Sequence, residues 1–69
     1  MKLRDLLALV HPDTVVRVID LTYVIVYGPH DPDNLYQSPA FRNYAATADV
    51  VSVYPDTVGR VPELVIECR

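Results

Sequence analysis

Cysteine and glycine are scarce in this sequence. Cys68 is the single cysteine, and Gly28 and Gly59 are the only glycines among 69 residues. One cysteine excludes an internal disulfide and a cysteine-built zinc site, and it favours a reduced, cytoplasmic setting. Two isolated glycines exclude the glycine-rich loops that hold phosphate groups in nucleotide-binding enzymes.

Basic residues and long apolar runs are also scarce. Six Lys and Arg residues against nine Asp and Glu residues leave a net charge of −3, which argues against binding to double-stranded DNA or to an anionic membrane surface. No run reaches the roughly 18 apolar residues that a membrane helix needs. The apolar stretch at 6–10 is too short for the core of a secretory signal. We therefore expect a cytoplasmic protein that makes no membrane contact.

The main feature present is a β-forming run at residues 14–28, TVVRVIDLTYVIVYG. Its Val, Ile, Thr and Tyr content is typical of strands, and the polar Asp20 divides it into a predicted hairpin of Thr14–Ile19 and Thr22–Gly28. Because side chains alternate across a strand, the second strand has apolar residues on both faces. One face carries Leu21, Tyr23, Ile25 and Tyr27, and the other carries Thr22, Val24 and Val26. This pattern favours helices on one face of the sheet and a partner on the other.

The rest of the chain predicts two helices and two further strands. Leucines at helical spacing predict a helix over Met1–Val10, and Ser38-Pro39 is a typical start for a second helix that ends near Thr47. Strands are predicted over Asp49–Tyr54 and Glu63–Cys68, with turns over Pro29–Asn34 and Pro55–Gly59. The order α-β-β-α-β-β predicts one α+β domain over residues 1–69. We expect a mainly antiparallel four-stranded sheet with short helices on one face.

The chain is short for a stable lone domain. A protein of this size buries only about 60% of its unfolded surface, and small domains without disulfides or metals are commonly stabilised by self-association. The hydrophobic fraction is nevertheless 51%. We therefore predict a homo-oligomer.

Residue types that support catalysis are present but form no known motif. His30, Asp31 and Asp33 are metal-ligand types in one predicted loop, yet no metal-site spacing matches, and solvated loop groups are the simpler interpretation. Glu63 and Glu67 share a face of the last predicted strand, which is also typical of a solvated edge. No Ser-His-Asp or Cys-His context is present. We predict a protein that is not an enzyme and has no cofactor or metal; a small hydrolase using His30 with Asp31 or Asp33 is the catalytic alternative.

Tyrosine and arginine provide the candidate binding residues. Five tyrosines accompany one Phe and no Trp, and tyrosine suits half-buried sites and interfaces. Tyr36, with His30 in the preceding loop, is the best candidate for a ligand or partner contact. Arg17, Arg42 and Arg60 are candidates to bind a phosphate or carboxylate bidentately, and an aromatic ring beside arginines commonly holds a nucleotide. For each arginine, ordinary solvated surface is the alternative.

Three segments resemble a type of short uncharacterised protein encoded by phages and prophages. They are the opening MKLRDLL, the later DTVVRVID, and DVVSVYP. The resemblance covers the first helix, the hairpin and the third strand, and it transfers no catalytic or binding residue. It implies an accessory phage protein inside a bacterial cell, a type that often inhibits host defence by masking an enzyme or sequestering its nucleotide signal.

These observations favour a non-enzymatic, oligomeric binding protein that acts by stoichiometric capture. The target is either a host protein, bound through a tyrosine-bearing sheet face, or a nucleotide messenger held at a subunit interface by Tyr36, Arg42 and Arg60. A structural or assembly module of a phage particle is the alternative from a different class.

Overall fold

Seven elements make up the chain. A computed structural model describes the backbone of residues 1–69 and every side chain except that of Val58. The elements are α1 (Leu3–Leu7), β1 (Val16–Asp20), β2 (Ile25–His30), α2 (Pro32–Leu35), α3 (Pro39–Thr47), β3 (Val50–Val58) and β4 (Val61–Cys68). The prediction of a small α+β fold is confirmed, and α2 is an addition to it.

The sheet consists of two hairpins placed side by side. The strand order is β2-β1-β4-β3. Each hairpin is antiparallel, and the two join where β1 and β4 run parallel, with Val16 beside Leu64 and Asp20 beside Cys68. The predicted mainly antiparallel sheet is therefore confirmed, with one parallel pairing at its centre. Strands β2 and β3 form the two edges.

All three helices pack on one face of the sheet, as predicted. Phe41 of α3 is at the centre of this core, and its ring centroid lies 5.2 Å from that of Tyr27 and 5.6 Å from that of Tyr36. The buried apolar residues of this core are Leu3, Leu7, Val16, Val18, Leu35, Phe41, Ala45, Ala48, Ile66 and Cys68.

The helix ends follow local chemistry. The Ser38 hydroxyl accepts a hydrogen bond from the Phe41 N–H (3.3 Å), and Pro39 occupies the first turn, so α3 begins where the sequence predicts. The first helix is shorter than predicted and ends at Leu7 instead of Val10. The N–H groups of Leu9 and Val10 donate to carbonyls only three residues back, because the chain must leave the helix before Pro12.

The first hairpin turns later than predicted. The Asp20 carboxylate accepts hydrogen bonds from the N–H groups of Thr22 (2.8 Å) and Tyr23 (3.2 Å), which folds residues 21–24 into a turn. Strand β2 therefore begins at Ile25, and Tyr23 and Val24 are 75% and 80% exposed in that turn. The expected placement of Tyr23 on a strand face is wrong.

Two predicted turns are partly strand. Strand β2 continues through Pro29 to His30, and β3 continues through Pro55 to Val58. Both are edge strands, where a proline is tolerated because the outward N–H needs no partner. The second hairpin closes through Gly59-Arg60 alone, with Gly59 at φ +65°, a conformation that glycine adopts without strain.

Candidate functional site

The second face of the sheet has no helix packed against it, and we call it the open face. Alternation and strand pairing define its members. They are Arg17 and Ile19 on β1, Val26 on β2, Ser52, Tyr54 and Asp56 on β3, and Val61, Glu63, Val65 and Glu67 on β4. Five of these ten side chains are apolar or tyrosine, and the other five are polar or charged. Of the residues that the sequence predicts on one face of the second strand with Val26, Thr22 and Val24 lie in the preceding turn.

An ion pair lies at the centre of the open face. Arg17 Nη2 is 2.8 Å from Glu63 Oε2, and their side chains are 25% and 4% exposed. Although the two atoms are close, Glu63 Oε2 has no hydrogen bond of conventional geometry. The interpretation of Glu63 as a solvated edge residue is wrong, because β4 is a central strand.

Val65 is buried on the open face without help from any helix. It lies beside Arg17 on one neighbouring strand and beside Tyr54 on the other, and only 1% of it is exposed. The stem of an arginine and the ring of a tyrosine can cover apolar surface while their polar ends reach water. Arg17 and Tyr54 thus shield Val65 from water in the single chain.

Apolar surface remains exposed around that centre. Val26, Tyr54 and Val61 are 53%, 40% and 52% exposed, and they lie on three different strands. Scattered single apolar residues are ordinary on a protein surface, whereas apolar side chains around a dry centre on one flat face are typical of an interaction surface.

Of the predicted binding residues, Tyr36 lies in a groove on the helix side of the molecule. This helix-side groove has a volume of about 410 Å³ and is lined by Arg4, Leu7, Ala8, Val10, Pro12, Pro32, Asp33 and Tyr36. Burial raises the pKa of the Tyr36 hydroxyl, and the positive charge of Arg4 offsets part of that rise. Arg4, which the sequence interpretation overlooked, is therefore the arginine close to Tyr36.

The other predicted residues lie elsewhere. Arg42 is exposed on α3, Arg60 is exposed in the turn between β3 and β4, and His30 is exposed at the end of β2. None of the three lines the helix-side groove. The predicted grouping of Tyr36 with Arg42 and Arg60 is not formed within that groove, and Arg17 belongs to the open face.

A buried polar cluster lies on the helix side, where Asp20, Tyr44 and Cys68 meet. Burial, together with the nearby Asp20 carboxylate, raises the pKa of the Cys68 thiol to about 11. Burial also raises the pKa of Tyr44, whose hydroxyl oxygen is buried without a conventional hydrogen-bond partner. A thiol with this pKa stays protonated at neutral pH and is a poor nucleophile. We assign the cluster a structural role.

In the part of the chain that the structure describes, no three His, Cys, Asp or Glu side chains come together as metal ligands. No helix among the described residues has both the length and the apolar character to cross a bilayer. Comparison of the chain with protein-family models, curated proteins and solved structures finds no match. The resemblance to short phage proteins therefore stays a prediction.

Proposed function

We propose that this protein is a non-enzymatic binding protein that acts by stoichiometric contact through its open face. The observation that carries the proposal is a sheet face without a helix, on which Val65 and the Arg17–Glu63 ion pair are buried while Val26, Tyr54 and Val61 stay exposed. In the free protein the contact is with a second copy. In a bacterial cell, as the phage resemblance implies, a host protein takes that place.

The two edge strands favour assembly through the open face over assembly by extension of the sheet. Pro29 lies in one edge strand and Pro55 in the other, and proline has no N–H to donate to an added strand. Proline in an edge strand is a known protection against edge-to-edge pairing. Assembly by extension of the sheet is thus disfavoured, which leaves packing of the open face against another surface, at about 10 Å if that surface is also a sheet.

A pair of matched substitutions tests this proposal. Tyr54 and Val53 are neighbours on β3 with similar exposure, 40% and 43%, but Tyr54 lies on the open face and Val53 on the helix side. We expect light scattering to show an oligomer for the wild type and for Val53→Lys, and a monomer for Tyr54→Lys. A wild-type protein that is monomeric at every concentration would refute self-association, and equal effects of the two lysines would refute the open face as its site.

A nucleotide messenger is the second candidate target. It is favoured by the helix-side groove, where Tyr36 and Arg4 line the same apolar-walled space, a combination suited to a base and a phosphate. A ligand that binds only the folded state raises the melting temperature. We expect a nucleotide that binds there to stabilise the wild type and Arg42→Gln but not Arg4→Gln in a thermal-shift screen. No response across a panel of linear and cyclic nucleotides would eliminate this candidate and leave a protein target.

A further inference from the structure

The turn between β1 and β2 exposes a group of apolar side chains. Leu21, Tyr23, Val24 and Ile25 follow one another with one threonine between them, and Tyr23 and Val24 are among the most exposed apolar residues of the chain. No Lys, Arg, Asp or Glu occurs from Leu21 to His30, which is the longest uncharged stretch of the sequence. Turns are ordinarily polar, and neighbouring exposed apolar residues indicate an interaction surface.

Val24 has an unfavourable backbone conformation in this turn. Its φ is +56°, in the left-handed region that β-branched residues rarely adopt and that Gly and Asn adopt readily. The side chain is 80% exposed, so packing within the chain does not compensate for the strained backbone. Val24 is therefore less favourable to the fold than Asn or Gly would be at this position, and its apolar side chain is available for contact with another molecule.

Hydrogen bonds hold the turn in place. The Asp20 carboxylate accepts from the N–H groups of Thr22 and Tyr23 at 2.8 and 3.2 Å. The Leu21 N–H donates to the Cys68 carbonyl of β4 at 2.8 Å. Because these bonds already order the backbone of the turn, less conformational freedom is lost when its side chains bind a partner.

The open face by itself is small for a stable interface. A standard interface buries about 800 Å² per partner, from about 20–30 residues, and this chain has an accessible surface of 4411 Å² in total. The open face has ten described side chains, of which half are polar or charged. The turn adjoins this face, because Val26 of the open face directly follows Ile25. The turn thus supplies uncharged apolar surface that the open face lacks.

We infer that the turn at residues 21–25 is part of the self-contact surface and packs against the second copy in the oligomer. The chain carries a net charge of −3, so two copies approach most favourably where neither carries a charge. The apolar turn also provides surface of the kind that forms the buried core of an interface. This inference rests on the proposed function, in which the free protein contacts a second copy through its open face.

Two matched asparagine substitutions test the inference. Val24→Asn removes the apolar side chain and introduces a residue that adopts positive φ readily, whereas Leu9→Asn changes a residue of similar exposure, 77%, just after α1. In light scattering across a dilution series, we expect Val24→Asn to raise the dissociation constant of the oligomer about tenfold or more, because a two-fold contact loses two buried valines. Tyr23→Ser should act in the same direction, and Leu9→Asn should leave the dissociation constant unchanged.

The stability of the monomer provides a second readout, of opposite sign. In the background of Tyr54→Lys, which we expect to be monomeric, adding Val24→Asn should raise the melting temperature by about 5 °C, because the strained backbone is relieved. A turn that served the fold alone would lose stability and assembly together. A lower melting temperature or an unchanged dissociation constant for Val24→Asn would overturn the inference, as would equal effects of Val24→Asn and Leu9→Asn on association.

The outcomes separate this inference from the proposed function and from other partners. If Tyr54→Lys dissociates the oligomer but Val24→Asn does not, the open face stands and the turn fails. If only Val24→Asn dissociates it, the turn stands as a self-contact and the open face fails. A wild type that is monomeric at every concentration would refute both. We expect no sedimentation with neutral phosphatidylcholine vesicles; binding that Val24→Asn abolishes, with the oligomer unchanged, would assign the turn to a lipid surface and overturn the inference.

Discussion

Arg17 on β1 and Glu63 on β4 form an ion pair of 2.8 Å across the parallel strands that join the two hairpins. Glu63 is almost fully buried although no helix covers this face. The pair thus links the two halves of the sheet at the place where no turn connects them. Among the described side chains of the open face, Arg17 is the only basic one.

Breaking this pair should destabilise the fold. Removing one partner of a buried pair leaves an uncompensated charge and costs about 3–5 kcal/mol. Since Arg17 is partly exposed, we expect Arg17→Met or Glu63→Gln to lower the free energy of unfolding by an amount near the lower end of that range. Urea unfolding at neutral pH measures the change.

The double variant and an exposed pair serve as controls. Arg17→Met combined with Glu63→Leu should recover most of the loss, because an apolar pair of similar volume commonly replaces a buried ion pair without cost. Arg4 and Asp5 lie 3.9 Å apart, and both side chains are more than half exposed. We expect Asp5→Ala, which removes this exposed pair, to lower the free energy of unfolding by about 0–1 kcal/mol. Similar losses of unfolding free energy for Glu63→Gln and Asp5→Ala would show that burial of an ion pair does not determine its contribution to stability.

Local patterns account for the parts of the fold that the sequence predicts. The Ser38-Pro39 start of α3, the two hairpins and the helices on one face follow from capping chemistry and hydrophobic alternation. The parallel pairing of β1 with β4 was not predictable, because it joins segments far apart in the chain and has no local signal. The sequence predicts a turn at Pro55, because proline occurs inside a strand mainly at the edge of a sheet. The edge position of β3 is not visible in the sequence.

The same limit applies to the candidate site. Arg17 could be named from the sequence as a possible binding residue, but its partner Glu63 lies on a strand whose neighbours were unknown. Arg4 has no distinguishing signal in the sequence, because its closeness to Tyr36 depends on how α2 packs. The short α2, with the sequence PDNL, lies in a Pro- and Asp-rich stretch that is equally typical of a loop.

The two glycines should differ in their tolerance of a side chain. Both have positive φ, +93° at Gly28 and +65° at Gly59. A Cβ on Gly28 would lie 2.6 Å from the Val16 carbonyl oxygen, whereas a Cβ on Gly59 would meet nothing within 4 Å. We expect Gly59→Ala to cost about 1–2 kcal/mol for the left-handed backbone alone, and Gly28→Ala to cost clearly more. Equal midpoints of urea unfolding for the two variants would show that the close approach of β1 to β2 is unimportant.

The cap of α3 should make a measurable contribution to stability. The Ser38 hydroxyl accepts from the Phe41 N–H, and Phe41 is the central ring of the core. We expect Ser38→Ala to lower the melting temperature and to cost about 1 kcal/mol. Ser38→Asp should retain most of the stability, because its carboxylate can accept the same bond and suits the positive end of the helix dipole. A loss in Ser38→Asp as large as that in Ser38→Ala would contradict the capping role.

Stability should fall at alkaline pH because of Cys68. Burial raises the pKa of its thiol from an ordinary value of 9.0 to about 11 in the folded protein, so the unfolded chain loses its proton first. The stabilising contribution is complete below pH 9 and declines as the pH rises from 9 towards 11, by about 2–3 kcal/mol in total. Urea unfolding at several pH values measures this decline. Cys68→Ala should lower stability below pH 9 but show a shallower decline between pH 9 and 11, since it has no thiol to ionise. Parallel pH profiles for the two proteins would mean that the Cys68 thiol ionises equally easily in the folded and unfolded chains.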